Sequence, residues 1–233
     1  METGTIICGN SEEILKTCAD SSIDLIVTDI PYGISYKSNK QNCDTRGSET
    51  VHKDREEYFE QIQGDATLPV NWLTDAYRIL KDGSAMCVFC HWSKWHLLFH
   101  SVVEVGFSVK GMIVLNKSNH GMGCLYHYAP KHELLMFATK GKHVCHFREK
   151  RMNDVWDVPV KFSGAKRFHP NEKPLSWLTP CIENSSEEGM VVLDPFAGSG
   201  STGMACKNLK RDFIMIDVDE KYCTIMRDRL GIV

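Results

Sequence analysis

A chain of 233 residues with 42% hydrophobic and 24% charged content carries enough apolar side chains for one core, and α/β domains of this size commonly do not divide. No apolar run approaches the roughly 20 residues that cross a bilayer, and the acidic start Met1-Glu2 lacks signal-peptide character, so a cytoplasmic protein is expected. A net charge of −3 excludes a uniformly basic nucleic-acid binder, and ten cysteines without framework spacing read as reduced thiols rather than a disulfide scaffold.

Strand patterns lie at Thr5 to Cys8, Asp24 to Thr28, Ala85 to Cys90, Val109 to Leu115, Glu133 to Ala138, Val191 to Leu193 and Phe213 to Asp217. Helical periodicity fills most intervals, at Glu12 to Cys18, Val70 to Leu80, Lys94 to Val105, Leu175 to Asn184 and Thr202 to Leu209. Alternating β and α elements imply a mainly parallel sheet covered on both faces. Ligands in such sheets gather at the carboxyl ends of strands near the switch in strand order. Two strand ends carry chemistry. The first is Asp29-Ile30-Pro31-Tyr32, an acid, a rigid prolyl turn and an aromatic ring. The second is Asp194-Pro195-Phe196-Ala197-Gly198-Ser199-Gly200, which opens into Ser201 and Thr202 at a helix start. Gly198 and Gly200 allow a tight turn and close approach of backbone to a ligand, and the helix start offers free N–H groups.

Cys87 and Cys90 invite a zinc reading, but residues three apart on a strand face opposite sides, and His96 and His100 have no acid to complete a metal motif. Packing cysteines are the better account, and no metal is expected. Charge is unevenly distributed: Lys140 to Lys173 holds nine basic residues against four acids, and Lys37 to Arg55 holds five against three. Both stretches read as polar loops, solvated in the simplest account.

The Asp29-Ile30-Pro31-Tyr32 and glycine-loop motifs come in that order, with His169-Pro170-Asn171-Glu172-Lys173-Pro174 just before the second. Further landmarks are Gly9-Asn10, Arg78-Ile79-Leu80-Lys81-Asp82-Gly83, His132-Glu133-Leu134-Leu135 and Phe213 to Tyr222. Together they resemble the permuted, beta-class S-adenosylmethionine-dependent DNA amino-methyltransferases, which act on adenine N6 or cytosine N4. The resemblance covers nearly the whole chain. It implies a doubly wound, mostly parallel, seven-stranded Rossmann-like sheet with one antiparallel strand, the hairpin of Val109 to Leu115 and Glu133 to Ala138 supplying that strand. One methyltransferase domain over 1–233 is expected, with polar DNA-facing insertions at about 37–68 and 119–167.

By the same resemblance, Phe196, Ala197, Gly198, Ser199, Gly200, Ser201 and Thr202 flank the methionine part of S-adenosyl-L-methionine, and Asp217 holds its ribose. The alternative for Asp217 is a turn acid before Asp219. Lys173 complements the cofactor's carboxylate, or is an ordinary solvated lysine before a helix. Asn10 stands where the family has Asp, and with Glu13 it reads at least as well as a helix cap. On the chemical side, an exocyclic base amine is a weak nucleophile. Asp29 and the carbonyl of Ile30 would accept its hydrogens and aim its lone pair at the methyl group. Tyr32 would stack on a base rotated out of the duplex. Ile30 replaces the family's proline, yet it still precedes Pro31 and is pushed toward an extended backbone.

Asp at position 29 favours adenine N6 by resemblance, cytosine N4 being the near variant. The reading outside enzymes is a catalytically silent subunit kept for DNA binding or pairing. It is suggested by Ile30 and Asn10 and opposed by the intact Asp29 and glycine loop. The expected partner is double-stranded DNA, with a short recognition site or help from a second copy as a homodimer. Any restriction enzyme would be a separate chain, and the resemblance implies a bacterial or phage-encoded protein.

Overall fold

Aliphatic and β-branched residues that are buried on both sides build the centre of the sheet. In the strand Ile23–Asp29, Leu25 and Val27 face one core layer while Ile26 faces the other, the alternation that a pleated backbone imposes; Ile23 joins the Ile26 layer across a register shift between Ile23 and Leu25. The computed structural model describes residues 4–33, 67–117, 128, 130–142, 152–158 and 172–232. Most of the two expected polar insertions, including Arg148, Lys150 and Arg151, lies outside these described residues, as does His169 to Asn171 of the motif before the glycine loop.

The elements in chain order are β1 (Gly4–Cys8), α1 (Ser11–Thr17), β2 (Ile23–Asp29), α2 (Trp72–Ile79), β3 (Leu80–Cys90), α3 (Trp95–Val105), β4 (Ser108–Lys117) and β5 (His132–Thr139). They continue with β6 (Val155–Val158), α4 (Leu175–Ser185), β7 (Val191–Asp194), α5 (Ser201–Asn208), β8 (Asp212–Asp217) and α6 (Glu220–Leu230). The sheet runs β1-β8-β7-β2-β3-β5-β4-β6. Only β5 is antiparallel to its neighbours, β3 and β4; the remaining pairings are parallel. The doubly wound, one-antiparallel-strand architecture is therefore as expected.

Among the described residues the sheet has eight strands rather than seven. The additional one, β6, pairs with the end of β4 and comes from the stretch read as a polar insertion. Four residues, Val155-Trp156-Asp157-Val158, with only Val158 buried, give too short an alternation to recognise without the partner strand.

Helix α6 was also not anticipated. Its buried positions are Cys223, Met226 and Leu230, a narrow stripe on an otherwise charged helix. The end signals were present, however: Asp219 caps the N-terminus by accepting from the Lys221 N–H, and Gly231 closes the helix at φ +66°.

Helices α1, α2 and α3 cover one face through Leu15, Trp72, Leu73, Leu98 and Val102. Helices α4, α5 and α6 cover the other through Trp177, Cys181, Cys206, Met226 and Leu230. Cys87 and Cys90 fall in opposite layers. Two polar anchors set the frame. Asp24 lies 2.6 Å from Lys81 Nζ through Oδ1 and accepts the Val191 N–H through Oδ2, tying β2 to both neighbouring strands. Arg78 donates to Asp75, to Asp20 and to the carbonyls of Cys18 and Leu15. It fastens α2 to the end of α1. Among the described residues, no helix is long and apolar enough to cross a membrane.

Candidate active site

Strands β2 and β7 pair side by side. The chain leaves them in opposite directions across the sheet, toward β3 from one and toward β8 from the other. Asp29 and Asp194 thus end neighbouring strands at the switch point, where α/β sheets bind ligands.

Asp194 joins the two halves. It is buried, accepts from Thr28 Oγ1 at 2.6 Å and Thr202 Oγ1 at 2.6 Å, and accepts the Phe196 N–H at 3.0 Å. One carboxylate therefore binds the residue before Asp29, the glycine loop and the first turn of α5.

Burial pushes the Asp194 pKa up to about 6, against the pull of those hydrogen bonds. A folded-state value above the unfolded one, about 3.9, means that the group's contribution to stability is complete at low pH. It is lost as pH rises through about 6. Asp194→Asn keeps an acceptor for Thr28 and Phe196 and offers an NH2 to Thr202. Its Tm should therefore vary less than that of the parent between pH 4 and 7. An unchanged slope in thermal unfolding would assign the titration to another group.

The glycine loop is folded back on the sheet. The Ala197 N–H donates to Ile216 O, Gly200 N–H to Ala197 O, and Gly198 N–H to Asp217 Oδ2 at 2.8 Å. Gly200 has φ +80°, and a Cβ there would lie 2.8 Å from Met226 Cγ, so both conformation and space call for glycine. Asp217 Oδ1 also accepts the Asp219 N–H at 2.9 Å. The residue is a turn acid as well as a loop clamp, with lone pairs left over for hydroxyl donors. Burial raises its pKa, opposed by the amides of Asp219 and Gly198. The Asn10 side chain accepts the Glu12 N–H at 2.8 Å; it caps α1, as the capping alternative anticipated. Gly9 N–H donates to Asp217 O, which brings that cap beside the same acid.

Arg229, from the unanticipated α6, bridges two motifs. Its guanidinium lies 2.6 Å from Glu172 Oε1 and donates to Ser199 O at 3.1 Å. The segment before Lys173 is thereby tied to the glycine loop. Arg229→Ala should weaken S-adenosylmethionine binding about tenfold, the scale of one charge-assisted hydrogen bond. Isothermal titration calorimetry of the cofactor would measure it, and an unchanged Kd would show that the loop holds its shape alone.

On the other side of the switch point, Asp29, Tyr32, Lys173 and Glu133 form one cluster. Tyr32 OH donates to Asp29 Oδ1 at 2.9 Å, and Lys173 Nζ lies 2.9 Å from Asp29 Oδ2. The same ammonium donates to Tyr32 OH at 3.0 Å and is 3.0 Å from Glu133 Oε2. Lys117 stands 3.6 Å from the other Glu133 oxygen. Burial raises the Asp29 pKa, and Lys173 opposes that rise. Burial likewise pushes the Tyr32 hydroxyl well up, with Asp29 adding to it. For Lys173 burial works downward, but Asp29, Tyr32 and Glu133 outweigh it and hold the ammonium protonated. Ile30 is buried in the core beneath the site, and Pro31 and Tyr32 are half-buried. The Tyr32 ring lies 6.1 Å from the His91 ring at 38°.

The structure thus brings Asp29, Tyr32 and Lys173 together on the chemical side. It groups Phe196 to Thr202 with Asp217 and Asn10 on the cofactor side. Lys173, expected at the cofactor's carboxylate, instead sits on Asp29. Glu133 was read only as part of a landmark in a strand; the available signal was an acid opening the apolar run Leu134-Leu135-Met136-Phe137.

The resemblances converge. A family model for N6/N4 methyltransferases, described as DNA methylase, matches residues 23–228. The methylase YubD of Escherichia coli is 31% identical over 231 residues, which cover 97% of this chain and 90% of that protein. The crystal structure of the M1.HpyAVI–SAM complex aligns at TM-score 0.71 with 24% identity, over 98% of this chain and 99% of that one. The cytosine-N4-specific PvuII DNA methyltransferase aligns at TM-score 0.75 with 15% identity, over 98% and 86%. S-adenosyl-L-methionine is the cofactor, and the residues present fit it: α5 begins at Gly200 with no side chain capping its amides, and Asp217 borders the same loop. A match spanning both motif groups, on a fold that joins them through one buried aspartate, makes this chain a member of the N6/N4 DNA methylase family.

Proposed function

We propose that the chain methylates the N6 amine of adenine in double-stranded DNA by direct displacement, with Asp29 as the residue that orients the amine. The observation that carries this reading is the linkage Thr28–Asp194–Thr202, which holds the Asp29 strand end against the cofactor loop. When bound, S-adenosylmethionine supplies an electrophilic methyl on a sulfonium. Asp29 accepts one amine hydrogen, and the backbone carbonyl of Ile30 accepts the other, favouring a pyramidal nitrogen whose lone pair points at the methyl. The nitrogen–carbon bond forms as the carbon–sulfur bond breaks, with its electron pair leaving on sulfur. The methylated nitrogen then gives up its proton by way of Asp29, whose side chain is one quarter exposed. Tyr32, at the mouth of the same cluster, offers a ring to the extruded base.

An acid at position 29 supports adenine. Cytosine N4 is the second reading, favoured by the likeness to the PvuII enzyme. The deciding experiment is transfer of labelled methyl from S-adenosylmethionine to mixed-sequence duplex DNA, followed by nucleoside analysis. N6-methyladenine is expected, N4-methylcytosine would overturn the base assignment, and absence of both products with the cofactor bound would overturn the catalytic reading.

A further inference from the structure

Asp29 does not stand alone at the end of β2. Four charges from four separate segments alternate through the site. Asp29 lies 2.9 Å from Lys173, Lys173 lies 3.0 Å from Glu133, and Glu133 lies 3.6 Å from Lys117. The side chain of Lys173 is 10% exposed, so its ammonium is withdrawn from water and its partners fix its place. It meets both carboxylates at ion-pair distance while its hydrogen bond goes to Tyr32 OH. Tyr32 in turn donates to the second oxygen of Asp29. One cation therefore reaches both Asp29 oxygens, directly at Oδ2 and through the tyrosine hydroxyl at Oδ1.

We infer that Lys173 and Glu133 are a positioning pair for Asp29: the ammonium fixes the carboxylate and balances its charge, and Glu133 draws that ammonium partly away. The inference rests on the reading of Asp29 as the amine acceptor. A protonated Asp29 would have lost that capacity, because its hydroxyl would donate where an acceptor is needed. A lone buried carboxylate favours the neutral acid, and a cation at contact restores the ionised form. Glu133 is the counterweight. It adds like charge near Asp29 and shares the ammonium, so the two residues act on Asp29 with opposite signs.

The other groups that face the cluster are Cys90 and His91 from the end of β3, His132 beside Glu133, Lys94 beyond His91 and Asp194 from β7. Burial pushes the Cys90 thiol up to about 12 and pulls His91 down, so both are neutral at pH 7. Asp194, which burial raises to about 6, is a second buried carboxyl beside the site, and Asp194→Asn removes its titration.

The test is the pH profile of kcat/KM, whose acid limb reports the free enzyme, measured for each variant in the parent and in the Asp194→Asn background. Lys173→Met should move the acid limb to higher pH and lower kcat at neutral pH by about 10²-fold, the usual cost of misplacing a catalytic group. Lys173→Arg should return the limb toward the parent position. Glu133→Gln should move it the other way, to lower pH. Opposite movements establish the pair; limbs that stay in place or move together overturn it. A rise in cofactor Kd for Lys173→Met with an unmoved limb would also overturn it, placing the lysine on the cofactor instead. Should Lys173→Met fail to fold, Lys173→Gln replaces it, with the same upward movement expected beside the downward one of Glu133→Gln. Failure of the underlying reading looks different, since Asp29→Ala would then transfer methyl undiminished.

Discussion

Asp29→Ala should lower methyl transfer by about 10³-fold or more, the scale seen when a preorganised polar contact to a reacting group is deleted. The fold should survive. Asp29 closes β2 at its partly exposed end, and after its removal Lys173 still has Glu133 at 3.0 Å and Tyr32 OH at 3.0 Å. Cofactor binding should survive too, because the glycine loop is held by Asp194, Asp217, the Ile216 carbonyl and Arg229. The check is a single-turnover rate beside a cofactor titration on the same preparation. Undiminished transfer would remove Asp29 from the mechanism, and lost cofactor binding would mean that the two halves of the site are not separable in the way the hydrogen bonds indicate.

Trp72→Ala should produce the largest loss of stability among single core changes, about 3–5 kcal/mol, or a Tm fall of roughly 10 °C for a chain of this length. Trp72 is fully buried at the start of α2 and donates through its indole N–H to Pro69 O at 3.3 Å. Its ring meets that of Phe196 edge-on, with centroids 5.6 Å apart and planes at 78°. The cavity would therefore open directly beneath the glycine loop, and cofactor affinity should drop along with Tm. Thermal unfolding with and without S-adenosylmethionine separates the two effects, because a ligand that binds the folded state stabilises it by RT ln(1 + L/Kd), L being the free ligand concentration. A loss below about 1 kcal/mol would indicate that neighbouring side chains collapse into the space.

The particular residues divide according to how far their signals travel along the chain. Asp29-Ile30-Pro31-Tyr32 and Asp194 to Gly200 were legible because each is a turn that ends an apolar run, a pattern contained in fewer than about ten residues. The Asn10 cap was legible for the same reason, since its bond reaches only to Glu12. Cys87 and Cys90 could be assigned to opposite faces from the strand period alone. Strand β6 and helix α6 fell below what local pattern can carry. One has four residues with a single buried position, and the other a charged surface with three buried positions.

By itself the sequence determined the alternation of elements, the order of the chemical and cofactor motifs, and the residues that end β2 and β7. All of these follow from periodicity, turn chemistry and spacing, which are local properties of the chain. The tertiary structure alone decided that β2 and β7 are neighbours, that Lys173 lies against Asp29, that Glu133 meets Lys173, and that Arg229 ties Glu172 to the glycine loop. Those contacts join residues 30–167 positions apart. Only burial of the whole sheet brings such groups together, and in that low-dielectric interior a charge must find its partner wherever in the chain that partner lies.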